Sequence, residues 1–194
     1  MRNFALTILL CLLTFNFYAQ DFDGYVVKNN KDTIRCKFNV GTNLFDSSIF
    51  YANSVKKKVK VLINGEKVVF KPYELISFVI EGTKRGSFKF VSVPEDDYQN
   101  FYHEIIEGRV SCYYLYDSNP QGGEPLPVAY LYKNGVLKEI SVFVRNDVGE
   151  FIIDNPELFH KWMNGNPYKS HEFYQAIRDY NDYYSKKDLK SENK

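Results

Sequence analysis

Two Asn-Gly pairs constrain this chain more than any other feature of its sequence. Asn64-Gly65 stands between Val59-Lys60-Val61-Leu62-Ile63 and Val68-Val69-Phe70. Asn134-Gly135 stands between Tyr130-Leu131-Tyr132 and the run from Val136 to Val144. Both central residues of a type I′ turn need positive φ, which Gly and Asn tolerate best, so each pair reads as the tip of an antiparallel hairpin. A further hairpin is expected where Tyr25-Val26-Val27 leads through Asn29-Asn30-Lys31-Asp32 into Thr33 to Phe38, whose residues 34, 36 and 38 share one face. The first arm of the Asn64-Gly65 hairpin is expected within Val55 to Ile63, and Leu75 to Ile80, Ser87 to Val93 and Arg109 to Tyr116 supply additional strands. The hairpins follow no fixed period, so the chain reads as a meander and not as a repeat protein.

The pattern changes near residue 145. Asn155-Pro156-Glu157 is a helix start, with Asn as cap, Pro in the first turn and an acid at the positive end of the dipole. Gly165 closes that helix. Ser170 caps another, in which Phe173, Ile177, Tyr180 and Tyr184 fall at helical spacing. The polar tail from Lys186 to Lys194 is expected to fray, and the loop from Ser118 to Pro127, with its three Pro and two Gly, to be the most flexible segment. Residues 21–194 therefore read as one α+β domain. It combines an antiparallel twisted sheet or partly closed barrel of about seven to ten strands with two or three C-terminal helices between about residues 145 and 187.

Residues 1–20 read as an export signal. Arg2 precedes an apolar run from Phe4 to Leu13, and Tyr18-Ala19-Gln20 leads into Asp21, where the mature chain is expected to begin. The run is shorter than the roughly 20 residues needed to span a bilayer, and no second one of that length follows. Cys11 lies inside the run without the small residue that a lipid-attachment signal wants before its Cys. Of the remaining cysteines, Cys36 and Cys112 could be bridged in an oxidising compartment or stay free as small buried residues.

Gly24-Tyr25-Val26-Val27, Phe70 to Phe78, Glu107 to Tyr116 and the C-terminal Asp154 to Leu158 with Tyr180-Asn181 together resemble four regions of exported, mostly uncharacterised proteins of the Bacteroidota. Gly24-Tyr25-Val26-Val27 with Asp32-Thr33-Ile34 resembles their opening hairpin. Phe70-Lys71-Pro72-Tyr73-Glu74-Leu75-Ile76-Ser77-Phe78 resembles a Tyr-x-Pro-x-Glu-Ile-x-x-Phe segment, and Glu107-Gly108-Arg109-Val110 with Tyr113-Tyr114-Leu115-Tyr116 resembles a Glu-Gly-Lys-Val strand. Asp154 to Leu158 and Tyr180-Asn181 resemble the closing Asp-x-Pro-Glu-Leu and Tyr-Asn positions. Asn30-Lys31 and Cys36 stand where Gly is usual. The resemblance implies export and this fold class and carries no catalytic residue.

Charge is balanced overall, with 25 Lys and Arg against 24 Asp and Glu, so no nucleic-acid partner is expected. Along the chain it is segregated. Val55 to Phe90 holds nine basic and three acidic residues, with Lys56, Lys57, Lys58 and Lys60 nearly contiguous, whereas Glu95 to Glu124 holds seven acids and only Arg109. The lysine run could attract an anionic envelope polymer or lipid head group. Equally, exposed strand lysines prevent aggregation, and the two segments could neutralise each other.

His103, His160 and His171 lack the spacing of a zinc site, and neither a Gly-x-Ser-x-Gly elbow nor a phosphate or calcium loop is present, so no cofactor or metal is expected. The acids between Glu95 and Glu107 (Glu95, Asp96, Asp97, Glu104 and Glu107) could serve a hydrolase. The 16 Tyr and 16 Phe suit either a sheet core or a binding surface, and Trp162 reads as a packing anchor against the sheet. The reading favoured by these residues is a non-catalytic exported envelope protein, acting through contacts with a protein or an anionic polymer. A secreted or periplasmic hydrolase is the alternative.

Overall fold

The computed structural model describes residues 21–43, 46–121 and 124–192. The expected export segment, residues 1–20, lies outside the described residues, as does the Gly122-Gly123 pair of the Pro-rich loop. The strands are β1 (Asp21–Lys28), β2 (Thr33–Asn39), β3 (Val59–Ile63), β4 (Glu66–Phe70), β5 (Leu75–Thr83), β6 (Gly86–Ser92), β7 (Phe101–Ile106), β8 (Ser111–Asp117), β9 (Leu126–Lys133) and β10 (Val136–Glu139). Three helices follow: α1 (Val144–Ile152), α2 (Pro156–Met163) and α3 (Phe173–Glu192).

All ten strands join one antiparallel, twisted, unclosed sheet in the order β10-β9-β8-β7-β6-β5-β1-β2-β3-β4. Both Asn-Gly turns form as the sequence requires, with Asn64 and Gly65 at φ 53 and 86° and Asn134 and Gly135 at φ 51 and 81°. The chain thus meanders from β1 out to the β4 edge, then returns to pair β5 with β1. Only Lys71-Pro72-Tyr73-Glu74 separates β4 from β5, so the β1–β4 wing must curl until the end of β4 nears the start of β5. Lys28 of β1, with its Nζ 6.0 Å from the Phe70 ring of β4, marks that approach. The link itself is a short 3₁₀ turn opened by Pro72, with the Glu74 carboxylate accepting from the Lys71 N–H at 2.7 Å.

The curl encloses a first core of Val26, Phe38, Val59, Val61, Leu75, Phe78 and Ile80, at most 1% exposed. Gly24 belongs to it for steric reasons, since a β-carbon there would run into the Val79 carbonyl and the Phe38 ring. A second core lies between the helices and β7–β9, built from Val110, Cys112, Leu131, Ile152, Trp162, Ile177 and Tyr180. A third, on the opposite sheet face, gathers Val93, Tyr102, Tyr113 and Leu115 with Tyr130 and Tyr132 packed against them.

A polar cluster docks α3. The Asp154 carboxylate, at the α1–α2 turn, accepts from Lys133 Nζ at 2.8 Å and from the Tyr180 hydroxyl at 2.8 and 2.9 Å, with Arg109 at 3.6 Å. The Asn155 side chain caps α2 as its sequence predicts, accepting from the Leu158 N–H at 3.2 Å.

Five expectations need correction. Ser170, read as a helix cap, instead opens a 3₁₀ turn capped by Lys169, whose N–H donates to the Glu172 carboxylate at 2.6 Å. β7 is a strand that the alternation rule missed, because Phe101 and Tyr102 are both buried on opposite faces and a bulge interrupts the strand between Glu104 and Ile106. The run from Val136 ends as strand at Glu139, and Val144 opens α1, where the buried Asp147 carboxylate accepts from the Ser141 N–H and hydroxyl at 2.8 and 2.6 Å. Val55 closes a 3₁₀ turn instead of opening β3. The polar tail is helical through Glu192. Trp162 is fully buried in the second core and, beyond packing, donates from Nε1 to the Arg145 carbonyl of α1 at 2.8 Å.

Candidate functional site

Folding brings the basic and acidic segments together. Lys56 pairs with Asp117 and Arg85 with Glu124, while Lys89 binds Glu104 at 2.6 Å and Glu107 at 3.0 Å. Most of these pairs are exposed and contribute about 0–1 kcal/mol each, but they cancel much of the segregated charge. Among the described residues, Lys37, Lys57, Lys58, Lys60 and Lys67 form no ion pair. These five lysines lie on or beside the β2–β4 wing, with Asp23 of β1 directly opposite Lys37.

Register then arranges it. Lys37 stands opposite Leu62, Leu62 opposite Lys67, and Lys60 opposite Val69. Cys36, Phe38, Val59 and Val61 face the core, so these alternate residues all point outward. Directly opposed residues lie about 5 Å apart and diagonal ones about 7–8 Å, within reach of long side chains. Leu62 is thus ringed by the lysines of three strands. Lys58 extends the patch before β3 and Lys71 beyond β4, where its Nζ lies 5.9 Å from the Tyr73 ring. Arg35, two residues before Lys37, is held by Glu81 at 2.7 Å and lies 5.2 Å over the Tyr25 ring.

The β2–β3 ladder consists of Lys37↔Leu62 and Phe38↔Val61. A cleft opens on either side of this short contact. One, of about 590 Å³, is lined by Asp23, Arg35, Lys37, Leu62, Asn64 and Gly65. The other, of about 470 Å³, is lined by Asp21, Asn39, Lys60, Leu62, Lys67 and Val69 among others. Leu62 is the wall they share, and each mouth carries two cations. Asp21 turns toward Asn39, whose amide donates to it at 3.2 Å. Such a surface can hold phosphate, sulfate or carboxylate groups.

Of the lysine run singled out from sequence, Lys60 belongs to the ring, Lys57 and Lys58 lie at its approach, and Lys56 is turned away to Asp117. Lys37 was missed, because only the pairing of β2 with β3 places it beside the run. The acids of the hydrolase alternative divide into two groups at opposite ends of β7. Glu95 accepts from the Tyr132 hydroxyl at 3.1 Å and Asp96 from the Asn100 amide at 2.7 Å, whereas Glu104 and Glu107 converge on Lys89. Burial pushes the Glu104 carboxyl above its ordinary value, against the pull of Lys89. His103 sits between Phe88 and Phe90, with ring centroids 4.7 and 5.4 Å away, and its Nδ1 meets the Tyr116 hydroxyl at 2.9 Å. Burial lowers its pKa to about 4, so it is neutral at physiological pH.

The Cys36–Cys112 bridge is not formed. Both thiols are free and buried, one in each of the first two cores, on strands β2 and β8 that four others separate. Adjacent strands are about 4.8 Å apart, while a bridge needs Cα atoms within roughly 7 Å. Burial pushes the two thiols up to about 11 and about 12, respectively.

Among the described residues no group of three or more His, Cys, Asp or Glu is placed to hold a metal ion, and no helix is long and apolar enough to cross a membrane. The chain matches no protein-family model, and neither the curated proteins nor the solved structures contain one similar to it.

Proposed function

We propose that this protein is an exported, non-catalytic component of the bacterial envelope that attaches to an anionic partner through the outer face of β2–β4. The observation carrying this reading is the ring of Lys37, Lys60 and Lys67 around Leu62, three cations without an ion pair that strand register gathers on one face of the sheet. The signal-like residues 1–20 and the resemblance to exported Bacteroidota proteins support export, to the periplasm, the outer membrane or the medium. The partner is an anionic polymer or an envelope structure presenting anionic groups, since exposed ammonium groups recognise charge more than shape.

Fractionation of cells carrying an epitope-tagged copy, with low-salt and high-salt washes of the membrane fraction, tests this directly. The screening length shrinks from about 10 Å at 0.1 M to about 3 Å at 1 M salt, so charge-mediated attachment should be released by the second wash. Lys60→Glu with Lys67→Glu should leave the protein in the soluble fraction at low salt. Retention in the cytoplasm with residues 1–20 still attached would contradict export, and association indifferent to salt and to these lysines would contradict the attachment surface.

A further inference from the structure

We infer that the anionic partner is the headgroup plane of a lipid bilayer, with Lys37, Lys60 and Lys67 meeting the headgroups and Leu62 and Val69 reaching the acyl boundary. This rests on the attachment reading above and makes it specific. Three features separate a bilayer from a soluble polyanion. The cations are spread in two dimensions over β2, β3 and β4, which suits a plane of charges better than the single row that one polymer strand offers. The ring has an apolar centre and rim: Leu62 at its centre is partly exposed and Val69, on the edge strand opposite Lys60, is 49% exposed, and a soluble polyanion would leave both in water. Surfaces that rest on membranes pair such apolar residues with lysines whose stems lie along them and whose ammonium groups stay at headgroup level. Finally, β4 is a sheet edge, so no strand beyond it stands between this face and a flat surface. The clefts of about 590 and 470 Å³ flanking Leu62, each lined by two cations and one aspartate, give individual headgroups a place to enter with a net positive lining.

Co-sedimentation of the mature chain with phosphatidylglycerol–phosphatidylcholine vesicles, with pure phosphatidylcholine vesicles, and in competition with soluble polyphosphate tests the inference. Binding is expected to the anionic vesicles and not to the neutral ones. Each lysine near an anionic surface accounts for about a fivefold change in partitioning, so Lys60→Gln with Lys67→Gln should weaken binding by about 25-fold. Lys56→Gln with Arg85→Gln removes the same charge from paired positions and should change it little. Val69→Ser, at an exposed edge position that the fold does not need, should weaken vesicle binding several-fold and leave polyphosphate binding unchanged. Tight polyphosphate binding without vesicle binding, or a Val69→Ser variant that binds vesicles as well as the native chain, would overturn the bilayer inference while leaving attachment to a polyanion standing. Failure to bind either probe would overturn both.

Discussion

Asn181 of α3 clasps the backbone of Val110 at both of its polar groups. The Val110 N–H donates to Asn181 Oδ1, and the Asn181 amide donates to the Val110 carbonyl, both at 2.9 Å. Val110 is fully buried, so no water can replace either bond. Gly108 completes the arrangement, because a β-carbon there would collide with the Asn181 amide. Asn181→Ala should cost about 2–4 kcal/mol, the penalty for stranding two buried backbone groups. Gly108→Ala displaces the same amide, so the double variant should cost little more than either single one. Denaturant unfolding of the three variants measures both the cost and the coupling.

Asp154 should give the fold an acid-sensitive joint. Burial opposes its charge, but hydrogen bonds from Lys133 and Tyr180 outweigh that and hold its carboxyl below the ordinary value. The folded state therefore binds this proton more weakly than the unfolded chain. The contribution is complete above the unfolded value of about 4 and is lost as the pH falls through the folded one. With the side chain 37% exposed, solvent screening keeps the effect small, and Asp154→Asn should cost about 1 kcal/mol at neutral pH. Unfolding curves of the two proteins should converge as the pH falls below the ordinary Asp value.

His103 works in a higher window. Burial among Phe88, Phe90 and Tyr116 lowers its pKa to about 4, from 6.5. The unfolded chain takes up the proton first, so stability should fall between pH 6.5 and 4, by on the order of 3 kcal/mol in total. His103→Gln should flatten that part of the stability profile. An unchanged slope in the variant would assign it to other groups.

Lys89 and Glu104 form the least exposed link between the two charged segments, with the Glu104 side chain only 10% exposed. Lys89→Met should destabilise the protein by about 2 kcal/mol, because Glu104 then lacks its counter-charge, and adding Glu104→Leu should restore most of the loss. The same pair bears on the hydrolytic alternative. Glu107 meets the same ammonium from the surface, with its side chain 74% exposed; no glycosidase turnover is expected of the native chain, and a measurable turnover that Glu107→Gln abolishes would revive the enzyme reading.

The architecture was largely legible where local chemistry dictates it. Asn64-Gly65 and Asn134-Gly135 adopt the positive φ angles their turns demand, and Asn155 caps α2. What depends on tertiary partners was not. β7 carries no clean alternation because both of its faces are covered, and α1 begins where Ser141 finds the Asp147 carboxylate, a contact six residues away. The candidate site divides in the same way. Lys60 could be read from a run of lysines, but Lys37 joins it only through the pairing of β2 with β3, and Lys56 leaves it only because Asp117 lies across the fold. Similarly, Gly108-Arg109-Val110, Asp154 and Tyr180-Asn181 are distant in sequence yet meet at the α3 dock.

The central claim is that position, not net charge, makes the β2–β4 wing the binding face. The most direct measurement is the salt concentration that elutes two doubly substituted proteins from an immobilised polyanion. Lys60→Gln with Lys67→Gln and Lys56→Gln with Arg85→Gln each remove two positive charges. The account predicts that the first elutes at distinctly lower salt than the native protein while the second elutes beside it. Equal displacement of the two would show that overall charge alone governs binding, and would contradict the account.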